Sequence, residues 1–408
     1  MSSSRAIGEV VAHMKIATRT AILSLALLAV AACFAFPRWS AARDWRDARA
    51  AAERRDFDGA LASLDRVRSM WPDDREVALF AARTLRRAGK FADADAALGR
   101  CRAVGVPAED VRLESNLLAA QRGDTLRVET HLIPLLKPHR PEFLLVAEVL
   151  SAEWMRQNRL SDALRALDPW VATRPEAEAF VRRGWVHERL MHAEQSVADY
   201  RKALELDPTR RPIRLRLAEL FLGMTQADDA KPYLDALQSE SPDEPAVRLA
   251  WARYHRMKGD FDAATAILDA LLAEASPPSE AFSERGALAL DLAEPGAAEP
   301  LLREATRRRP HDRQAHYALV QCLTKLNRPE EAARVAKEIT RIDVDRKRLQ
   351  ELMEEVERKP RDVDLRAEVG GIFARNGHPE DARRWFRAAL EIDPTHRAAT
   401  EGLAALKE

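Results

Sequence analysis

One pattern recurs every 34 residues or so along most of the chain. A polar or Gly turn leads into a bulky residue and then Ala, as in RRDFDGA (54–60), AGKFADA (88–94), QNRLSDA (157–163), KGDFDAA (258–264) and NGHPEDA (376–382). Taking the last residue of each copy as an anchor gives Ala60, Ala94, Val128, Ala163, Ser196, Ala230, Ala264, Ala298, Ala332 and Ala382. The spacings are 34, 34, 35, 33, 34, 34, 34, 34 and 50 residues. A period of this length describes a stack of small units, each burying its apolar face on the next.

Other positions keep phase with the anchors. Four residues after them stand Leu64, Leu98, Leu132, Leu167, Tyr200, Leu234, Leu268, Leu302, Ala336 and Phe386. That step puts anchor and bulky residue on one helical face. Twelve residues before the anchors the residue is mostly small, as at Ala48, Ala82, Gly184, Ala218, Ala252, Gly286 and Gly370, which lets two helices approach closely. Pro72, Pro175, Pro208, Pro242, Pro310 and Pro394 follow about twelve residues after the anchors and punctuate the helices. With only 15 Gly against 22 Pro in 408 residues, a sandwich or barrel with many tight turns is excluded. Each unit therefore reads as a helix–turn–helix.

These features resemble the tetratricopeptide repeat (TPR) family, of the bacterial membrane-anchored array type. LELDPTRRPIRLRLAELFLGMTQADDAKPYLDAL (204–237) and ARRWFRAALEIDPTH (382–396) are good copies of its motif. The resemblance covers residues 41–408 and implies an all-α, right-handed α-solenoid of about ten repeats. The chain departs from the family where Val128 and Asn116 make repeat three degenerate. The aromatic that often opens the first helix survives only as Phe180 and Phe282. The last spacing is 16 residues too long. Repeats one to nine thus span 41–342, an inserted helix 343–360, and repeat ten with a capping helix 361–408. The insertion has neither Gly nor Pro between Pro329 and Pro360. Its apolar residues, Val335 to Val356, fall near a 3.5-residue period. It reads as a long helix ending near Lys359, weakest at Asp343-Val344-Asp345, and serves as a spacer or a dimerising coiled coil.

In the family the first helix of each repeat lines a concave groove. Carried over, the lining of repeats one and two is Trp45, Arg46, Arg49, Phe80, Arg83, Arg86 and Arg87, offset by Glu53 and Glu76: basic with aromatics. In the middle repeats it is Met155, Arg156, Val181, Trp185, Arg189, Leu215, Glu219, Leu222, Leu249, Arg253, Arg256 and Met257. The residues singled out for partner binding are Arg49, Arg83, Arg87, Arg156, Trp185, Arg189, Leu215, Glu219, Arg253 and Arg256, because Trp and Arg dominate binding hot spots. No Lys–Asn pairing on successive first helices matches the carboxylate clamp of Hsp90/Hsp70 co-chaperones. The CxxC module of the lipopolysaccharide-assembly TPR protein is missing too.

The N-terminus is of a different kind. Residues 1–20 form a short basic tail. Ala21–Phe36 (AILSLALLAVAACFAF) is a run of 16 residues without a charge, between Arg19 and Arg38. It is longer than a signal h-region and shorter than a full span. It reads as an apolar anchor helix that tethers the chain to a membrane, with the repeats extracytoplasmic. A cleaved signal and a lipoprotein signal through Cys33 (Val30-Ala31-Ala32-Cys33) are the alternatives.

Chemistry is sparse. The three cysteines, Cys33, Cys101 and Cys322, form no CxxC, and Cys101 and Cys322 fit as small buried fillers. His187-Glu188 with His192 is one residue too long for a zincin pair. No phosphate-cradling or nucleophile-elbow motif is present. Lys+Arg and Asp+Glu balance at 65 each, which argues against nucleic acid as partner. Carboxylates on such an array read as solvated faces. The expectation is therefore a protein without catalytic, cofactor or metal site and without a small-molecule substrate. It would be an interaction scaffold binding proteins or peptides in its groove or, alternatively, an accessory chaperone or non-catalytic subunit of an envelope assembly or maturation system.

Overall fold

The computed structural model describes residues 39–406. The basic tail and the apolar run Ala21–Phe36, and with them the anchor, signal and Cys33 readings, lie outside the described residues. Among the described residues there is no strand, and no helix is long and apolar enough to cross a membrane.

The helices alternate in ten pairs closed by a last one. They are α1 (39–53), α2 (Phe57–Met70), α3 (Arg75–Arg87), α4 (Phe91–Ala103), α5 (Ala108–Ala119) and α6 (Thr125–Leu132). Then come α7 (Phe143–Arg156), α8 (Leu160–Thr173), α9 (Ala177–Arg189), α10 (Ala193–Leu206), α11 (Arg211–Gly223), α12 (Ala227–Glu240), α13 (Pro245–Met257) and α14 (Phe261–Leu272). The array ends with α15 (Ser279–Asp291), α16 (Pro295–Arg308), α17 (Arg313–Lys325), α18 (Pro329–Arg358), α19 (Val363–Arg375), α20 (Pro379–Ile392) and α21 (Arg397–Ala405). Two compact units share these pairs, one ending at Pro134 and the other beginning at Leu135. The division falls in the degenerate third repeat. There α5 runs through a π turn with Gly123 at φ 108° into the eight-residue α6.

The repeat register has a direct steric cause. The anchors Ala60, Ala163, Ala230, Ala264, Ala298 and Ala382 are fully buried, and so are the residues four later, Leu132, Leu167, Leu234 and Leu302. Where the residue twelve before the anchor is glycine, at Gly184, Gly286 and Gly370, it faces that bulky side chain. A Cβ on Gly286 would lie 2.6 Å from Leu302, and one on Gly370 2.7 Å from Phe386. Five residues before every anchor the backbone turns left-handed: Gly89, Gly259 and Gly377 do so, but so do Arg55, Asn158, Met191, Thr225, Ala293 and Asn327, with φ between 56° and 63°. That reversal ends the first helix of each pair and aims the second back along it.

The insertion is one continuous 30-residue helix, α18, ending at Arg358 with Lys359 as its C-cap. It does not weaken at Asp343-Val344-Asp345. Asp345 is buried, held by Arg341, Arg375 (2.6 Å) and the Asn376 amide (2.8 Å), and burial, which opposes ionisation, is outweighed by these partners so that its pKa is lowered. Leu349, Leu352, Met353 and Val356 pack against Leu365, Val369, Ile372 and Trp385 of the final repeat. The apolar face considered for a dimerising coiled coil is therefore spent inside the chain.

Candidate interaction face

Curvature is set by which helices touch. In the second unit α11 packs on α13, α13 on α15 and α15 on α17, besides the contacts within each pair; in the first, α3 packs on α5. The second helices of successive pairs show no such packing. Each unit thus has an inner side made of first helices.

Arginine–carboxylate pairs zip these first helices together. In the first unit Arg49 reaches Glu76 at 3.6 Å and lies over the Trp45 ring, which meets Phe80 edge to face at 4.9 Å. Arg83 and Arg86 both grip the buried Glu114, at 2.7 and 2.8 Å, and Arg86 also donates to Gln121. Burial works to raise the Glu114 pKa, but the two guanidinium groups outweigh it and hold it below the usual carboxylate range. Arg87 lies 4.8 Å over the Phe57 ring.

The second unit repeats the theme. Arg156 is the exception, pairing with Glu153 of its own helix at 2.8 Å and with Glu391 of α20, a second helix, at 3.5 Å. Arg216 bonds Glu188 and Glu219. Arg253 donates to Glu284 at 2.6 Å, and Arg256 meets Asp291 at 3.1 Å. Leu215 and Glu219 come together, with Arg211, Arg216 and Glu244, in a depression of about 160 Å³. Trp185 is half-buried, and the exposed Arg189 lies 5.6 Å over its ring.

Three expectations change in this light. The lining of repeats one and two is not a free basic surface, because Arg86 is buried and Arg83 is engaged with Glu114. Leu222 and Leu249 belong to the core, not to a groove floor. Carboxylates are not uniformly solvated: Glu114, Glu153, Asp199 and Asp345 are buried in ion pairs. Arg189 differs from the other arginines singled out in having no hydrogen bond or ion pair with the described residues; it stacks on Trp185 and its charge also acts on His378.

A larger depression, about 960 Å³, opens between α12 and α14 over α13. Trp251, Tyr254 and His255 form its floor, with Trp251 edge to face on Tyr254 at 5.2 Å and the Lys231 ammonium 5.9 Å over the indole. Sequence reasoning passed over it. The available signal was Trp251 standing thirteen residues before its anchor, where other repeats carry Ala81, Leu150 or Leu217.

Cys101 and Cys322 are buried, and burial pushes both thiols up in pKa. The rings of His187 and His192 lie 5.7 Å apart across the α9–α10 turn. Among the described residues no three His, Cys, Asp or Glu side chains are grouped to hold a metal ion.

Family models described as tetratricopeptide repeat match residues 46–102, 192–253, 221–283, 289–356 and 346–397. The chain belongs to the tetratricopeptide repeat family. No curated protein sequence matches it. Among solved structures it is similar to a tetratricopeptide repeat protein from Parabacteroides merdae, at 15% identity over 72% of this chain and 97% of that one, with a TM-score of 0.37. It is also similar to a chain of the APC/C hetero-tetramer Cut9–Hcn1, at 12% identity over 91% and 84%, TM-score 0.37. A third is pilF of Pseudomonas aeruginosa, at 16% identity over 56% and 97%, TM-score 0.35. A tetratricopeptide array is a protein–protein interaction scaffold, and such repeats are in general non-catalytic.

Proposed function

We propose that this protein holds a partner protein or peptide on the inner side of its second unit, with Trp185 and Arg189 as the anchoring pair, and that Ala21–Phe36 tethers it to a membrane. The observation that carries the reading is Arg189. Its neighbours on the inner side are engaged with carboxylates, whereas Arg189 is exposed, lies over an indole face and has no carboxylate partner among the described residues. A Trp–Arg stack of this kind presents a flat apolar surface and a five-donor cation to an incoming carboxylate or carbonyl. No reaction is implied.

The test is retention of partners from detergent-solubilised membranes by the full chain and by Trp185→Ala and Arg189→Glu variants. A stoichiometric partner lost in both, with unchanged helicity, supports the reading. Retention in both removes this pair from the function.

A further inference from the structure

The turn between α7 and α8 differs from its counterparts. In repeats five to eight the left-handed turn residue (Met191, Thr225, Gly259, Ala293) is exposed, whereas Gln157, Asn158 and Arg159 are buried. The end of the array covers them. The Ser161 N–H donates to Glu357 Oε1 at 3.1 Å and its Oγ to Oε2 at 3.0 Å, across 196 residues of sequence. The Asn158 amide lies against the Met353 sulfur, and Arg156 reaches Glu391. Glu357 does for α8 what its own N-cap residue, Arg159, does not: it places a carboxylate on a free N–H of the first turn, that of Ser161.

This contact has the marks of one that opens. It is thin, since side chains meet across it while the backbones of α8 and α18 do not pack along each other. It is polar and imperfectly satisfied: Gln157 Oε1 and one terminal nitrogen of Arg366 are buried without a hydrogen-bond partner. The Arg366 guanidinium, donating to the Pro360 carbonyl, is pushed down in pKa to about 10 by burial and by the like charges of Arg159 and Arg156. Buried polar groups left short of partners keep such an interface weak. A permanent tie between repeats is apolar, as in the Leu352–Trp385 cluster nearby.

We infer that the end of the array is a reversible clasp on repeat four, which covers the inner-side Arg156 and is released when an acidic helical segment of a partner replaces Glu357 and Glu391. The consequence for binding rests on the inner-side reading above; the clasp itself is measured on the protein alone, so the two fail separately.

The experiment is hydrogen exchange by mass spectrometry on the full chain, with small-angle scattering alongside. Glu357→Lys should speed exchange of residues 157–164 by about tenfold or more, the protection given by one charge-assisted hydrogen bond, and enlarge the radius of gyration. Glu391→Lys should act in the same direction but less, because the Ser161 bonds remain. Glu354→Lys, at an exposed site on the same helix, should change neither. A synthetic peptide of residues 349–360, added in excess to the wild-type chain, should reproduce the Glu357→Lys exchange pattern. Unchanged exchange in Glu357→Lys would overturn the clasp. Acceleration spread over the whole second unit would overturn it as well, because the contact would then be part of the core. A peptide without effect, beside a responsive Glu357→Lys, would overturn release by an acidic helix.

Discussion

Two Gly→Ala substitutions ten residues apart should have opposite signs. At Gly286 in α15 the new Cβ would sit 2.6 Å from both Cγ and Cδ2 of Leu302, which is fully buried. Ordinary carbon contacts lie at roughly 3.5–4.0 Å, so Leu302 has to retreat by about 1 Å into a packed core. Overpacking of this kind costs about 1–3 kcal/mol, and the better helix propensity of Ala returns up to about 1 kcal/mol. The net expectation is a loss of about 1–2 kcal/mol. At Gly296 in α16 a Cβ meets nothing within 4 Å, so only the propensity gain remains and the protein should be stabilised by up to about 1 kcal/mol. Leu302→Ala alone should cost about 2–5 kcal/mol, but combined with Gly286→Ala it should cost at least about 1 kcal/mol less than the sum, because the new methyl enters the vacated space. Urea titration gives the global effect, and hydrogen exchange over α15 and α16 gives the local one, which matters because repeat arrays need not unfold in one step. If Gly286→Ala stabilised as much as Gly296→Ala, the small residue would not be opposed by the residue sixteen positions on, and the packing account of the repeat would be wrong.

Other expectations follow from individual sites. Glu114→Gln should cost about 3–5 kcal/mol, seen as lost exchange protection around α3 and α5, because it leaves Arg83 and the buried Arg86 beside an uncharged partner. Thr225→Gly should stabilise by about 0.5–1 kcal/mol in chemical denaturation, since a β-branched residue sits at φ 59° in that turn. His311 and His378 have ring centroids 3.9 Å apart; burial first, then His378 and Arg309, push the His311 pKa down to about 4. A folded pKa below the unfolded value near 6.5 means a contribution present above pH 6.5 and lost as pH falls towards 4. The second unit should lose about 2 kcal/mol over that window, less than the full shift implies because the ring is partly exposed, and His311→Gln should flatten the decline in a pH series of denaturation midpoints.

Much of the fold is legible in the sequence because its cause is local and repeated. The anchor, the bulky residue four later and the small residue twelve earlier are one three-body contact, so a misplaced register would show in every copy. The end of α18 is legible for the same reason, being bounded by Lys359-Pro360 and carrying an unbroken apolar spacing. What the sequence hides are contacts between repeats that lie far apart along the chain. Nothing in QNRL announces that this turn, alone among its neighbours in repeats five to eight, is buried under Glu357. The candidate face is half legible. First-helix positions identify Arg83, Arg156, Arg253 and Arg256, but whether the charge of Arg83 or Arg253 is free depends on a carboxylate about thirty residues away, Glu114 or Glu284. Trp251 was missed because its position in the repeat reads as core, and the structure leaves it half-buried beneath a depression.

Site-specific photo-crosslinking in intact cells bears most directly on the account that the inner side is where this scaffold holds its partner. A benzoyl-phenylalanine, which unlike alanine keeps an aromatic face beside Arg189, is placed at Trp185 on the first helix α9, or at the exposed Lys202 on the second helix α10 of the same repeat. The account predicts a discrete adduct from position 185, abolished by Arg189→Glu, and none from 202. Adducts from 202 and not from 185 would contradict it and move the partner to the outer side.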